Sequence, residues 1–284
     1  MIIKKHKNKN RYIVTNNVFV RDFTAYGIPA IDINQALNAT DRDLLVDNSL
    51  ENYSQKYPSI DNENIFHPNI VIISDGYGFR EKQEILAKLP KHITIIAVNG
   101  ALKEWRLVGE QAKLKRVIDY YLVNNPYPEC KQYLPSRHRY YPKCISSIKT
   151  NPEFLRAYQG LKYIYSPTEN EMYSGVNLHP GYRIDDYRNP VCAALGVSYR
   201  FKAQKILLFC CDSVFNYEKP TALQLENGLW EYPQHELCRK IIDANCYWLK
   251  TQKIEIADHS SGGKYDNASY IKNEDDIVEY FENE

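Results

Sequence analysis

From Asn69 onward the chain alternates short apolar runs with longer stretches of mixed polarity. Asn69-Ile-Val-Ile-Ile-Ser74 is such a run, and an apolar run without polar interruption reads as a strand buried on both faces. It ends in Asp75-Gly-Tyr-Gly78, and a helical pattern follows from about Arg80 to Leu89. Ile93-Thr-Ile-Ile-Ala-Val98 predicts a second strand ending at Asn99-Gly100. Ile118 to Val123 predicts a third, ending at Asn124-Asn125-Pro126.

Tyr163 to Tyr165 suggests a further strand. Pro190 to Phe201 reads as a helix with proline in its first turn. That helix feeds Lys205-Ile-Leu-Leu-Phe-Cys-Cys211, the most apolar strand, which ends in Asp212. His235 to Leu249 is helical, Lys253 to Ala257 is the last strand, and Asp275 to Phe281 closes the chain as a short amphipathic helix. Strands alternating with helices predict an α/β fold: a Rossmann-like, doubly wound, mostly parallel sheet. Residues 1–284 are expected to form one such domain. The Pro-, Tyr- and Arg-rich stretch between Pro126 and Asn189 is expected to be a small lid. The first 65 residues carry weaker signals: strands at Tyr12 to Val14 and Ala30 to Ile33, and a polar helix near Arg42 to Tyr53.

Composition narrows the class of partner. A net charge of +1 over 284 residues argues against a nucleic-acid or membrane-surface binder. The basic stretch Lys4 to Arg11 reads as a solvated, frayed terminus. No apolar run reaches the roughly 20 residues that span a bilayer, and none follows the basic start as a secretory signal requires. The seven cysteines include no CxxC pair, and Cys210 and Cys211 sit in an apolar run. They read as reduced thiols of a cytoplasmic protein, with no metal site expected.

In open α/β sheets ligands bind beyond the carboxyl ends of the strands. Ser74 to Gly78, Asn99-Gly100, Asn124-Asn125 and Asp212-Ser213 occupy those ends and are expected to share a crevice. Gly76 and Gly78 would admit a phosphate to the backbone. GxGxxG and GxxxxGK[ST] are both absent, so neither standard dinucleotide binding nor a P-loop is expected. Strand-end asparagines commonly cap turns and helices, and they also pair with a base or ribose. His235, just ahead of a helix in Tyr232-Pro-Gln-His235, is a candidate general base. His179 and His259 are the other loop histidines.

The order and spacing of these residues from Asn69 to Gly263 resemble the bacterial sialyltransferases that use CMP-activated sugar. They also resemble two wider relatives, the motility accessory factor glycosyltransferases and the 6-hydroxymethylpterin diphosphokinase (MptE-like) proteins. Ser74-Asp75-Gly76-Tyr77-Gly78-Phe79 stands where that group has a GxGPS loop, without its Pro-Ser. Asn99, Asn125-Pro126, Tyr187-Arg188-Asn189-Pro190 and Asp212 follow in the group's order. Tyr232-Pro-Gln-His235 followed by Lys253-Ile254-Glu255-Ile256 is the sharpest match.

The resemblance implies that His235 is the general base and that Tyr232 contacts the donor phosphate. It places Ser74, Asp75, Gly76, Gly78, Asn99, Asn125, Asn189, Asp212 and Tyr217 around the nucleotide. Two phosphate-contacting tyrosines follow the Asp in the sialyltransferases. Val214 stands at the first of those places, and Tyr217 lies nearby. The implied reaction is metal-independent transfer of a sialic-acid-like sugar from a CMP-type donor to a glycan or glycoconjugate hydroxyl, with no further cofactor. An ATP- and magnesium-dependent pyrophosphokinase of the MptE kind is the alternative. Asn124-Asn125-Pro126 stands where its acidic motif would be, and magnesium prefers carboxylates. A catalytically silent nucleotide-binding protein is the third reading, because fold alone does not fix function. The sequence leaves the oligomeric state open.

Overall fold

The structure is a computed structural model. It describes residues 2–4, 12–15, 18–21, 42–63, 65–105, 116–134, 141–167, 182–187, 189–212, 214, 222–225, 228–231, 233–262 and 265–282. Three short strands, β1 (Ile2–Lys4), β2 (Tyr12–Thr15) and β3 (Val18–Arg21), pair antiparallel. Lys4 is therefore part of a strand and not of a frayed terminus. The rest of that basic stretch, and the strand expected at Ala30 to Ile33, lie outside the described residues. Helix α1 (Arg42–Ser54) follows.

The body of the fold is a nine-stranded sheet built from β4 (Asn69–Ile73), β5 (Thr94–Val98), β6 (Tyr120–Val123), β7 (Lys143–Ser147), β8 (Lys162–Pro167), β9 (Arg183–Ile184), β10 (Lys205–Phe209), β13 (Glu255–His259) and β14 (Ser269–Tyr270). Every pairing in it is parallel. The order is β14-β13-β10-β4-β5-β6-β7-β8-β9. A separate ribbon pairs β11 (Leu223–Gln224) with β12 (Trp230–Glu231).

Alternate residues of each central strand enter opposite cores, as the period of two requires. Ile70, Ile72, Ile206 and Leu208 pack with helix α5 (Pro190–Arg200) and helix α6 (Pro233–Thr251) on one face. Val71, Ile73, Leu207 and Phe209 pack on the other with the short helices α2 (Phe79–Lys82) and α3 (Ala101–Glu104), with α4 (Pro152–Ala157) and with the closing α7 (Asp275–Glu282). Both faces are covered, so the sheet is doubly wound as expected.

Two expectations are corrected. The described part of the stretch Pro126 to Asn189, expected as a lid, supplies β7, α4, β8 and β9 to the body of the fold, and 135–140, 168–181 and 188 lie outside the described residues. Its strands look polar in sequence because β7 carries serines. Those hydroxyls are satisfied inside: Ser146 Oγ donates to Val123 O at 2.8 Å and lies 2.8 Å from Thr150 Oγ1. The helix expected from Arg80 to Leu89 is one α-turn, Phe79–Lys82, running into a 3-10 segment, Gln83–Ala87. Its backbone dipoles do not sum along a long axis, so its N-terminal potential is correspondingly small.

Candidate functional site

The chain steps outward from β4 through β5 to β9, then returns to place β10 on the other side of β4. The topological switch point is therefore the gap between the carboxyl ends of β4 and β10. The loop after β4 is pinned to the end of β10. Ser74 N donates to Phe209 O at 3.1 Å, and Gly76 N donates to Cys210 O at 3.1 Å. Glycine is required at 76 because a Cβ there would lie 2.2 Å from Cys210 O and 2.5 Å from Asp212 Oδ1. The Gly76 amide is spent on Cys210, so what this glycine gives the crevice is room. Gly78 has φ 77°, a left-handed conformation that turns the chain into α2.

The next strand end is bound to the same loop. Asp75 lies over Gly100, whose added Cβ would meet Asp75 Oδ2 at 2.0 Å. The Ser74 hydroxyl is 3.4 Å from Asp75 Oδ1. Asp75 keeps a solvent-exposed edge while protein crowds it on the other sides, and the lost hydration raises its carboxyl. Asn99 is left-handed, with φ 42°. Its N–H donates to Leu122 O at 3.1 Å, and its carbonyl accepts from Tyr121 Oη at 2.8 Å. Its side-chain Oδ1 is buried without a partner among the described residues.

The remaining expected residues divide. Asp212 is buried at the end of β10. Its Oδ2 accepts the Gly262 amide at 2.6 Å, the Tyr77 amide also acts on the carboxylate, and among the described residues its Oδ1 has no partner in hydrogen-bonding geometry. Asn125, two strands from β4, spends its Oδ1 on Tyr127 N at 2.9 Å in a local turn. Asn189 caps α5, accepting from Val191 N at 2.8 Å and Cys192 N at 3.1 Å. Asn124 lies 3.5 Å from Asp186 Oδ2, which also accepts from Tyr165 Oη at 2.6 Å. Val214 is buried, and a Cβ on Gly262 would meet it at 1.9 Å, so it packs the loop rather than lining a cleft. His235 is the third residue of α6 and half-buried. Its helix leads directly into β13, so its start lies on the carboxyl side of the sheet. Tyr232, Tyr217, Arg188 and His179 lie outside the described residues.

Helix α1 covers part of the same edge. Asn48 Nδ2 donates to Pro126 O at 2.9 Å and Lys149 O at 3.0 Å. Asn52 Nδ2 donates to Ile148 O at 2.8 Å and Thr150 O at 2.7 Å. These carbonyls belong to the loops after β6 and β7, so α1 closes the sheet there, away from the β4–β10 gap. Its own sequence shows only a polar helix, and the role of its asparagines depends on loops about a hundred residues away.

A third set of residues is not visible in the sequence pattern, which ends β13 at Ala257. The strand runs on through His259, which makes Asp258 a buried strand residue. Among the described residues neither Asp258 carboxylate oxygen has a partner in full hydrogen-bonding geometry, though the Ser260 hydroxyl and amide lie close enough to act on it. Burial pushes its pKa up to about 7; Ser260 opposes the shift and the neighbouring Asp212 adds to it. Asp212 is raised too, by burial, with the Gly262 amide opposing. His259 stacks on Phe209 and places Nδ1 2.9 Å from Ile271 O. A carbonyl only accepts, so Nδ1 carries the proton, and Nε2 is left as a buried acceptor without a partner among the described residues. Desolvation lowers the pKa of this ring. Burial raises the thiols of Cys210 and Cys211, which argues against a thiolate nucleophile.

Buried acceptors without a full hydrogen-bond partner among the described residues thus gather at the carboxyl ends of β5, β10 and β13: Asn99 Oδ1, Asp212 Oδ1, both oxygens of Asp258, and His259 Nε2. At the opposite end of the sheet comparable groups satisfy one another. His67 lies 2.8 Å from Thr94 Oγ1 and 3.1 Å from Tyr120 Oη, which donates to Glu63, itself paired with Lys143. Such acceptors are costly to bury unpaired, and a ligand's donors would relieve that cost.

No protein-family model matches the sequence, and no curated protein matches it. Among solved structures the chain is similar to the MAf glycosyltransferase from Magnetospirillum magneticum AMB-1, with a TM-score of 0.62 at 12% identity. The likeness covers 85% of this chain and 41% of that one, so this chain spans less than half of that protein's length. At that identity the likeness is one of fold. Among the described residues no helix is long and apolar enough to cross a membrane, and no group of three or more His, Cys, Asp or Glu side chains is placed to hold a metal ion.

Proposed function

We propose that this protein is a glycosyltransferase that moves a sialic-acid-like sugar from a CMP-type donor to a hydroxyl acceptor. One observation carries the reading. Asn99 Oδ1 and Asp212 Oδ1, acceptors without a partner among the described residues, flank the switch point, beside a glycine that leaves no room for a side chain. A cytosine amine or a ribose or sugar hydroxyl supplies the donors they lack. The fold shared with the MAf glycosyltransferase supports the same class of chemistry.

In this mechanism the acceptor hydroxyl attacks the anomeric carbon and the bond from that carbon to the phosphate oxygen breaks. The hydroxyl proton passes to His235, and the nucleotide leaves as an anion. Tyr232, three residues earlier in the sequence, is the proposed hydrogen-bond donor to the leaving phosphate. The assignment of both residues rests on their spacing in the sequence and on the position of α6.

A second reading has one observation in its favour. The buried carboxylates of Asp212 and Asp258 influence each other from neighbouring strand ends, and carboxylates are what a magnesium-dependent pyrophosphokinase requires. Against it, Asp212 Oδ2 is already engaged by the Gly262 amide.

The test is a melting-temperature screen. A ligand at 100 times its dissociation constant stabilises the native state by about 2.7 kcal/mol. CMP or CDP should do this better than NAD or S-adenosylmethionine, and with EDTA present. If no nucleotide moves the melting temperature, the enzymatic readings fall. If binding vanishes with EDTA and returns with magnesium, the pyrophosphokinase takes first place.

A further inference from the structure

A nucleotide phosphate needs a counter-charge, and the glycine loop does not supply it. The Gly76 amide is bound to Cys210 O, and the helix after the loop is a single turn. Lys82 closes that turn. Its stem passes the left-handed Gly78, where an added Cβ would lie 3.3 Å from Lys82 Cε. Its ammonium donates to Ser261 Oγ in the loop after β13. Because β10 lies between β4 and β13, Lys82 spans the carboxyl end of β10 and therefore the switch point. Its charge bears on Cys210, Asp212, Asp258 and His259 together. Among the described residues it has no salt-bridge partner.

We propose that Lys82 is the phosphate-binding residue of this crevice, seating the donor phosphate between the Gly78 turn and the Ser261 hydroxyl. The inference rests on the nucleotide reading above. An ammonium has three donors, and Ser261 uses one, which leaves two for phosphate oxygens. Ser261 accepts from Lys82 through its oxygen, so its own O–H remains free to donate to the same phosphate. Lysine binds phosphate as a point charge. Gly78 is followed by Phe79 rather than Pro-Ser, and Val214 offers no hydroxyl, so neither position can donate a side-chain hydrogen bond to a phosphate. Lys82 fills that need. In catalysis the same ammonium meets the charge that develops on the departing nucleotide.

The experiment compares the dissociation constants of CMP and cytidine by calorimetry for the native protein, Lys82→Gln and Lys82→Arg. The native protein should prefer CMP. Lys82→Gln should weaken CMP about 10- to 100-fold, the range for a charged hydrogen bond, and leave cytidine unchanged. Lys82→Arg should recover part of the preference. Unchanged cytidine affinity shows that the Lys82→Gln pocket is intact. A CMP-to-cytidine ratio that survives Lys82→Gln, or a native protein that binds both equally, overturns this inference and leaves the nucleotide reading standing. Binding of neither ligand by the native protein overturns the nucleotide reading itself, and this inference with it.

Discussion

The Oδ2 of Asp212, at the end of β10, accepts the backbone amide of Gly262 at 2.6 Å, which ties the loop after β13 to the switch point. Its other oxygen faces Gly76 with no hydrogen-bond partner among the described residues. One carboxylate thus both fixes the wall of the crevice and presents an open acceptor to it.

The two crevice glycines should differ sharply when replaced. In Gly76→Ala the new methyl meets the Cys210 carbonyl, a backbone atom held in the β4–β10 ladder. We expect a loss of about 1–3 kcal/mol or more by denaturant unfolding. In Gly100→Ala the nearest atoms to the methyl all belong to the Asp75 side chain, whose end can rotate toward solvent, so the loss should stay below about 1 kcal/mol.

Asn99 is left-handed, so Asn99→Gly keeps the backbone conformation while removing Oδ1. If that oxygen accepts from the base or ribose, nucleotide affinity should fall by about tenfold, the worth of one hydrogen bond. The melting temperature without ligand should move little. An unchanged dissociation constant would remove Asn99 from the site.

Asp258 predicts a pH dependence of stability. Its pKa is about 7 in the folded protein and near 3.9 in the unfolded chain. Between those values the folded state holds a proton that the unfolded state has lost, so this group's contribution to stability falls as pH rises from about 4 to 7. Asp258→Asn abolishes that fall. The variant's melting temperature should gain on the native protein progressively across this window and keep its gain above pH 7. A constant difference at all pH values would contradict the assignment.

His235 carries the catalytic prediction. His235→Ala should lower turnover by about 10²- to 10⁴-fold with donor affinity retained. Tyr232→Phe should lose less. Full turnover in His235→Ala would return the residue to a plain helix start and shift attention to His179 or His259. His259 is a weak candidate as it stands, with its ring stacked on Phe209 and Nδ1 committed to Ile271.

The doubly wound fold is legible in the sequence because its central strands are all apolar. Asn69–Ile73 and Lys205–Phe209 cannot face water on either side, and helices must cover both. Lys143–Ser147 is not legible, because its serines conceal burial behind hydroxyl bonds made to other strands. At the site, the strand-end residues Gly76, Asn99 and Asp212 can be found from position alone. Their roles cannot: Gly76 is a matter of space against Cys210, and Asn125 and Asn189 serve a turn and a helix cap. Lys82 and Asp258 are silent in the sequence because each acquires its meaning from a loop or strand end distant along the chain. Lys82 needs Ser261, and Asp258 needs the extra length of β13 and the presence of Asp212.

The most direct measurement is the nucleotide product formed with EDTA present. A CMP-linked sugar and a hydroxyl acceptor would be incubated with the protein, and the mixture resolved by chromatography and mass spectrometry. The account predicts CMP and glycosylated acceptor in equal amounts, both greatly reduced in His235→Ala. It would be contradicted if no CMP appeared, while ATP with magnesium and a hydroxyl acceptor gave AMP and a diphosphorylated product.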